Sequence, residues 1–213
     1  MREIPHAAAG HNRGVDAAIA RLLEELWEAG VAHDAAETEH GRRRLNLEPE
    51  TARLVAILVR SGRRSRILEI GTSNGYGTIW LAWAARESGG TVTSVERDPG
   101  RQAEAAENLR RAGLLDVVRL VLGDATRVAA GLDGPFDCVL FDADRVSAPD
   151  QLRLLLPRLA RDVLLLADNV LSHPREIAGY LTALEAMPEF ERVVVPVGKG
   201  LSIAHRFAGR GLH

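Results

Sequence analysis

The glycine-rich segment from Glu69 to Gly77 combines residue types that could bind a ligand. It follows an apolar run and reads Glu-Ile-Gly-Thr-Ser-Asn-Gly-Tyr-Gly. Glycine permits a tight turn and lets a ligand approach a backbone that has no Cβ atom. The spacing G-x-x-x-G-x-G differs from the dinucleotide motif G-x-G-x-x-G, and the sequence has no Gly-Lys-Ser/Thr motif for a triphosphate. The segment therefore predicts a ligand-binding loop at the end of a strand, of a kind that dehydrogenases and P-loop proteins do not use.

Two further acidic positions lie at the ends of predicted strands. The run 91–96 ends in Glu96, whose carboxylate can accept hydrogen bonds from both hydroxyls of a ribose. The run 117–122 is followed by Gly123, Asp124 and Ala125, which can contact the edge of an adenine ring. Together with the glycine loop, these residues predict a site for an adenosine-containing ligand.

A second group of polar residues follows two later apolar runs. Asp142 comes directly after the run 136–141, and Asp168 and Asn169 follow the run 163–167. If those strands are neighbours, their carboxyl ends bring two carboxylates and an amide oxygen to one point, a set of ligands that suits Mg²⁺. Asp and Asn are also common in turns just after strands, and the spacing alone favours that explanation.

Strands and helices alternate along most of the chain, which predicts an α/β fold with a doubly wound sheet. A glycine turn at 198–200 joins the last two strands and makes the final pair antiparallel. The fold class is thus a Rossmann-like, seven-stranded sheet, mostly parallel, with a terminal β-hairpin and N-terminal helices. The predicted helices are 16–30, 49–60, 76–87, 99–112, 148–159 and 174–186, and the predicted strands are 66–70, 91–96, 117–122, 136–141, 163–167, 192–197 and 201–205.

Length and composition limit the class of protein. The 213 residues suit one α/β domain, here 49–213, preceded by a helical extension or lid at 1–48. A formal net charge of −2 gives no general attraction to nucleic acid or to an anionic membrane. Cys138 is the single cysteine, so no internal disulfide can form, which fits a reducing compartment. Since neither a membrane-span pattern nor a signal-peptide pattern is present, we expect a cytoplasmic protein.

The ordered set of E-x-G-x-x-x-G, Glu96 and Gly123-Asp124-Ala125 resembles that of the class I S-adenosylmethionine-dependent methyltransferases, from about residue 46 to the C-terminus. The motifs D-A-D-x and D-N-V-L, which begin at Asp142 and Asp168, are similar to those of the cation-dependent O-methyltransferases of the catechol and caffeoyl-CoA type. The resemblance implies that residues 49–213 form a methyltransferase domain. It also implies transfer of a methyl group from S-adenosylmethionine to a small-molecule acceptor, a vicinal diol or a phenol, with help from Mg²⁺.

The same resemblance assigns roles to individual residues. The implied metal ligands are Asp142, Asp168 and Asn169, and the implied catalytic residues are Asp142, Arg145 and His173. The implied cofactor-binding residues are Glu69, Gly71, Thr72, Ser73, Gly75, Tyr76, Gly77, Glu96, Asp124, Ala125, Asp142 and Asp144.

This chain departs from the catechol type at several positions, which leaves the acceptor open. Arg145 stands where that type carries a lysine base, and a guanidinium can orient an anion but cannot accept a proton. Where the family has a serine at the end of the glycine loop, this chain has Gly77. The tryptophan of the plant-type enzymes is replaced by Ser172-His173. Pro196 lies where the catechol enzymes have a carboxylate that holds the second hydroxyl. His173 could act as a base near neutral pH, or it could be an inert residue at the start of a helix.

Two other functions stay open at this point, together with the assembly state. A protein of this fold could bind the cofactor with lost or metal-independent activity, whereas the loop spacing disfavours a nicotinamide-dependent oxidoreductase. His33 and His40 could belong to a lid or to a solvated loop. The resemblance implies that the chain pairs, and the apolar helix face at Leu22, Leu26 and Trp27 offers a surface for it, so we expect a homodimer. We expect a small-molecule acceptor as the partner, with neither nucleic acid nor membrane.

Overall fold

A seven-stranded sheet with helices on both faces forms the centre of the structure, a computed structural model that describes residues 14–39 and 43–207. The strands are β1 (Arg66–Ile70), β2 (Thr91–Glu96), β3 (Val118–Leu122), β4 (Phe136–Phe141), β5 (Leu159–Ala167), β6 (Glu191–Val195) and β7 (Leu201–Arg206). The helices are α1 (Ala17–Ala36), α2 (Pro49–Ser61), α3 (Tyr76–Arg86), α4 (Pro99–Arg111), α5 (Ala125–Val128), α6 (Ala148–Leu155) and α7 (Pro174–Glu185), with short 3₁₀ turns at Leu115–Val117, Ala129–Gly131 and Leu156–Arg158.

The strand order is β3-β2-β1-β4-β5-β7-β6, and β7 runs antiparallel to both β5 and β6. The remaining neighbours are parallel. The predicted fold class is therefore confirmed, including the terminal hairpin. The chain leaves β1 toward β2 on one side and later returns to β4 on the other, so the strand order reverses between β1 and β4. Open α/β sheets bind ligands at the carboxyl ends of the strands at such a reversal.

The pairing of strand ends brings the predicted site residues together. Ile70 pairs with Phe141, and Phe141 pairs with Ala167, so β1, β4 and β5 end at the same level. The ladder continues one residue further, since the Asp142 amide donates to the Ile70 carbonyl (2.9 Å) and the Asp168 amide donates to the Phe141 carbonyl (3.2 Å). Asp142 and Asp168 thus leave adjacent strands side by side.

Two apolar layers cover the sheet. One layer consists of side chains from α1, α2 and α3 packed on one face, and the other is formed largely by side chains from α6 and α7 on the opposite face. Leu22 and Leu26 of α1 are buried in the first layer. The apolar face that predicted a homodimer is therefore covered within the chain. The boundary at residue 48 and the homodimer itself stay predictions.

Several element boundaries differ from the sequence-based prediction. Helix α1 continues beyond Gly30 to Ala36; Gly30 does not end it but packs against Asn46, where a Cβ atom would lie 2.6 Å from the amide nitrogen. The helix predicted to reach residue 159 ends at Leu155, since Pro157 lies in the 3₁₀ turn that follows, and β5 already begins at Leu159. Helix α5 was not predicted because four residues carry no periodic signal.

No helix within residues 14–39 and 43–207 is long and apolar enough to cross a membrane.

Candidate active site

A pocket of about 410 Å³ lies at the carboxyl ends of β1, β2, β4 and β5. Most of the predicted site residues line it, namely Glu69, Gly71, Thr72, Ser73, Gly77, Glu96, Asp124, Ala125, Asp142, Asp144, Arg145, Asn169 and His173. Gly75, Tyr76 and Asp168 do not line it. The structure thus brings most of the predicted site residues into one pocket.

The glycine loop is fixed by close packing on both sides. Gly71 has φ +103°, and a Cβ atom there would lie 2.3 Å from the Asp142 carbonyl oxygen, so only glycine fits. Gly75 has φ +87° and faces Ala105 of α4. Tyr76 is buried, with its ring centroid 6.2 Å from that of Trp27. Gly75 and Tyr76 thus shape the loop from inside the protein, whereas Gly71 brings it against β4.

Glu69 presents a buried carboxylate at the pocket wall. Its Oε2 atom accepts hydrogen bonds from Thr78 Oγ1 (2.5 Å) and Ser94 Oγ (2.6 Å), whereas Oε1 has no partner among the described residues. A Cβ atom at Gly77 would lie 2.8 Å from Oε1, which explains the glycine there. Burial raises the pKa of Glu69 to about 7, although the two hydroxyl donors oppose the shift. An unpaired buried oxygen of this kind is ready to accept a hydrogen bond from a cationic ligand group.

Glu96 is held by the backbone. Oε2 accepts from the Ser73 amide (2.9 Å), and Oε1 accepts from the amides of Arg97 (2.9 Å) and Asp98 (3.0 Å). The carboxylate is therefore fixed at the end of β2, next to the glycine loop. Each carboxylate oxygen has more than one lone pair, so Glu96 keeps capacity for ligand hydroxyls.

Asp124 and Asp144 each have a local structural partner as well as a place in the pocket. The Asp124 carboxylate accepts from the Arg127 amide (3.1 Å) and caps α5. The Asp144 carboxylate accepts from the Val146 amide (3.1 Å) and from Ser147 Oγ (2.6 Å). These local hydrogen bonds therefore partly explain why an aspartate occurs at each of the two positions.

The group formed by Asp142, Asp168 and Asn169, which we call the acidic wall, contributes Asp142 and Asn169 to the pocket lining, whereas Asp168 is buried next to Asn169. The Asn169 amide Nδ2 donates to Asp168 Oδ2 (2.8 Å), and Asp168 Oδ1 is buried without a partner in the described part of the chain. Burial, followed by the charge of Asp168, raises the pKa of Asp142 well above its ordinary value. Burial, with a contribution from Glu48, raises the pKa of Asp168 to about 6. Because burial is the main cause of both shifts, a cation bound beside these groups would stabilise their ionised forms.

The acidic wall fits a hard divalent cation in donor type. Two carboxylates and the amide oxygen of Asn169 are oxygen ligands of the kind that Mg²⁺ takes, and the buried Asp168 Oδ1 has no partner among the described residues. The described residues contain no cluster of three or more His, Cys, Asp and Glu side chains that could hold a metal. A site here therefore depends on Asn169 and on oxygens from water or the acceptor.

Arg145 and His173 also line the pocket. Arg145 Nε donates to Glu176 Oε2 of α7 (2.9 Å), so its guanidinium is oriented by an ion pair. His173 precedes α7, and its Nδ1 lies 2.8 Å from Ser172 Oγ. His33 lies in α1 outside the pocket lining, and His40 lies outside the described residues.

Several pocket residues escaped the sequence analysis. Residues 43–47, between α1 and α2, line one side, and Lys199 in the β6–β7 turn lines another. Lys199 Nζ forms an ion pair with Glu48 Oε1 at 2.7 Å. The one signal available in the sequence was that Lys199 is the sole lysine of the chain.

Comparisons with known proteins agree with the geometry. A model of a methyltransferase domain matches residues 68–170. A catechol O-methyltransferase of Niastella koreensis is 34% identical over 162 residues, which cover 74% of this chain and 72% of that protein. A catechol O-methyltransferase of Mycobacterium tuberculosis is 35% identical over 147 residues, which cover 68% of this chain and 64% of that protein, just under two thirds of its length.

A solved structure extends the likeness beyond the matched sequence. The O-methyltransferase from Bacillus cereus, crystallised in complex with SAH, superposes with a TM-score of 0.71 at 25% identity, covering 88% of this chain and 91% of that one. The resemblance inferred from the motifs is thereby confirmed. The chain belongs to the S-adenosylmethionine-dependent O-methyltransferases of the catechol and caffeoyl-CoA type.

Proposed function

We propose that this protein transfers the methyl group of S-adenosylmethionine to one oxygen of a small phenolic or vicinal-diol acceptor, with help from a divalent cation. The observation that carries the proposal is that one pocket is lined by Glu69, whose Oε1 has no partner among the described residues, by the backbone-held Glu96, and by Asp142 and Asn169 of the acidic wall. The names of the relatives and the SAH complex of the Bacillus cereus protein support it.

The donor end of the pocket suits S-adenosylmethionine in charge and shape. The bound donor supplies a methyl group on a sulfonium sulfur, which leaves as a neutral thioether when the methyl group is transferred. Glu69 offers one acceptor oxygen to the cationic part of the donor, while Glu96 accepts from the ribose hydroxyls and Ala125 lies where the adenine edge would rest. The close approach at Gly71 leaves the loop backbone open to the ligand. These residues bind and align the donor for in-line displacement.

At the acceptor end, Asp142, Asp168 and Asn169 would hold the cation. When bound, Mg²⁺ supplies positive charge that stabilises a deprotonated acceptor oxygen. The residues themselves fix its place, since Asp142 and Asp168 leave adjacent strands side by side and Asn169 adopts φ +65° directly after β5.

We propose His173 as the residue that takes the proton from the acceptor. Ser172 Oγ lies 3.2 Å from the Asn169 carbonyl oxygen, to which it can donate its single proton. In that arrangement Ser172 Oγ accepts from His173 Nδ1, and the lone pair of the ring is then on Nε2. His173 lines the pocket, so Nε2 could take the acceptor's proton, whereas Arg145 orients the anion.

A screen of vicinal-diol and phenolic acceptors with labelled S-adenosylmethionine tests the proposal. We expect label transfer to at least one vicinal diol, and we expect excess chelator to remove it. If a confirmed acceptor is methylated at full rate in excess chelator, the role of the cation is refuted. If the protein binds NAD and does not bind S-adenosylmethionine, the whole proposal is refuted.

A second candidate is a protein of this fold that binds the donor but has lost turnover or works without metal. The observation in its favour is that the residue in the lysine position, Arg145, cannot act as a base and is ion-paired with Glu176. In the same screen it would bind S-adenosylmethionine without transferring label, or transfer it at full rate in chelator.

A further inference from the structure

The turn between β6 and β7, which carries Lys199, packs closely against the start of α2 and the segment after β5. Gly198 has φ +53°, and a Cβ atom there would lie 2.5 Å from Thr51 Oγ1 and 2.9 Å from Glu48 Oε2. Gly200 has φ +93°, and a Cβ atom there would lie 2.4 Å from Leu171 Cγ. Because both glycines are needed for this packing, the turn has little freedom to move.

Backbone hydrogen bonds tie the same turn to the segment after Asn169. The Lys199 carbonyl accepts from the amides of Leu171 (3.0 Å) and Ser172 (3.2 Å), and the Gly200 carbonyl accepts from the Val170 amide (3.1 Å). The position of the Lys199 backbone is therefore coupled to the loop that carries one side of the acidic wall.

The Lys199 side chain lies between a buried carboxylate and the pocket. Its ammonium is 2.7 Å from Glu48 Oε1, and Glu48 Oε2 is buried with no partner in the described ranges. The Glu48 side chain is 18% exposed and that of Lys199 is 41% exposed, so the carboxylate is the more enclosed member. Lys199 lines the same pocket as Asp142 and Asn169.

The pair also lies beside the acidic wall. The pocket that Lys199 shares with Asp142 and Asn169 has a volume of about 410 Å³, and the Lys199 carbonyl accepts from the amides two and three residues after Asn169. The ammonium and the Asp142 carboxylate proposed to hold Mg²⁺ therefore lie in one small pocket, where Arg145 is a further cation.

We propose that Lys199 is a resident counter-ion of the acidic wall, that its ammonium weakens the uptake of a divalent cation, and that Glu48 holds it in place. The inference rests on the cation site of the proposed function. An ammonium close to a divalent cation repels it, and in a partly buried site this repulsion is worth at least a factor of ten in affinity by an order-of-magnitude estimate. Glu48 offsets that repulsion, because its negative charge attracts both cations.

Calorimetric titration of Mn²⁺ into the full chain, without S-adenosylmethionine, tests the inference in a double-mutant cycle. Lys199→Met should bind Mn²⁺ about tenfold more tightly, and Glu48→Gln about tenfold more weakly, than the natural chain. The double variant should return to within about threefold of the natural chain, since both charges are then absent. Asp142→Asn should abolish binding in each background.

The outcomes separate the inference from the function on which it rests. If the natural chain binds Mn²⁺ through Asp142 and Lys199→Met has the same affinity, the counter-ion role is wrong and the cation site stands. Binding by Lys199→Met alone supports the inference in its strongest form. If no variant binds Mn²⁺, both the cation site and the inference are refuted, while S-adenosylmethionine titration of the same samples reports separately on the methyl donor.

Lys199→Met leaves Glu48 buried without its partner and could unfold the chain. The double variant removes this problem, because it has no unpaired charge at either position. Circular dichroism melting of every variant identifies the folded ones. A comparison of the Mn²⁺ affinities of Glu48→Gln and the double variant then measures the effect of Lys199 when position 48 has no carboxylate. Equal Mn²⁺ affinities in that second comparison would also refute the proposal.

Discussion

Replacing Glu69 by glutamine removes the buried charge at the donor end of the pocket and keeps the size of the side chain. Glutamine can still accept from Thr78 and Ser94 through its carbonyl oxygen, so the fold around it should persist. What disappears is the ionisable oxygen that faces the pocket, and with it the pH dependence of binding a cationic donor.

The magnitude follows from the raised pKa. With a pKa of about 7, Glu69 is about one tenth ionised at pH 6 and about nine tenths ionised at pH 8. If the cationic donor binds the ionised form, its affinity falls as the pH falls, by roughly tenfold between pH 8 and pH 6. Glu69→Gln should lack most of this slope, and at pH 8 it should bind the donor about 10- to 100-fold more weakly, the cost of a lost charged hydrogen bond.

Calorimetric titration of S-adenosylmethionine at pH 6 and pH 8 measures both quantities. Asp168→Asn is the matched control, because Asp168 also has a raised pKa, of about 6, but belongs to the acceptor end. This control should keep the Glu69 slope. A Glu69→Gln variant with the natural affinity and the natural slope would show that Glu69 does not bind the charged part of the donor.

Four further predictions follow from the same structure. Glu96→Ala should weaken S-adenosylmethionine binding by about 1–3 kcal/mol, and natural affinity in calorimetry would remove Glu96 from the site. Asp168→Ala should abolish methyl transfer to a confirmed acceptor and should keep the affinity for S-adenosylmethionine, because we propose that the acidic wall aligns the acceptor and not the donor. Retained turnover in a label-transfer assay would contradict this. Without ligands, the free energy of unfolding should fall as the pH rises from about 5 to 7. The reason is that the folded-state pKa of Glu69 (about 7) exceeds its ordinary value of 4.5, so the unfolded chain releases the proton of Glu69 at a lower pH. Urea melts should show a smaller fall in Glu69→Gln. We also expect a homodimer that uses the edge strand β6, where Val193 and Val194 are exposed, and a monomer mass in light scattering at micromolar concentration would refute it.

The donor end of the site was predictable from the sequence because its signals are local. The glycine loop follows β1 within a few residues, and Glu96 is the last residue of β2. A parallel sheet places the carboxyl ends of its strands along one edge. Once the apolar runs were identified as strands, the residues that follow them could therefore be predicted to lie close together. Asp142 and Asp168 were predictable for the same reason, once β4 and β5 were taken as neighbours.

The partners that tune these residues could not be predicted, because they come from distant parts of the chain. Glu69 receives its second hydrogen bond from Ser94, 25 residues away, and nothing in the run 91–96 distinguishes Ser94 from an ordinary strand residue. The ion pair between Glu48 and Lys199 joins the start of α2 to the last turn of the sheet. Such contacts depend on how helices and turns pack on the sheet, and a single sequence carries no periodic signal for them.

Asp142 connects the two ends of the pocket in a way that neither motif reveals alone. Gly71 of the donor loop packs on its backbone carbonyl, and its carboxyl group responds to the charges of Asp168 on one side and Glu69 on the other. A positive charge that enters at either end therefore changes how readily Asp142 ionises, and hence how strongly the opposite end attracts a cation. Because Lys199 faces the same carboxyl group, the net charge of the pocket depends on three parts of the chain that meet only in the folded sheet. We therefore expect donor binding and uptake of the proposed cation to be coupled through this buried carboxyl group.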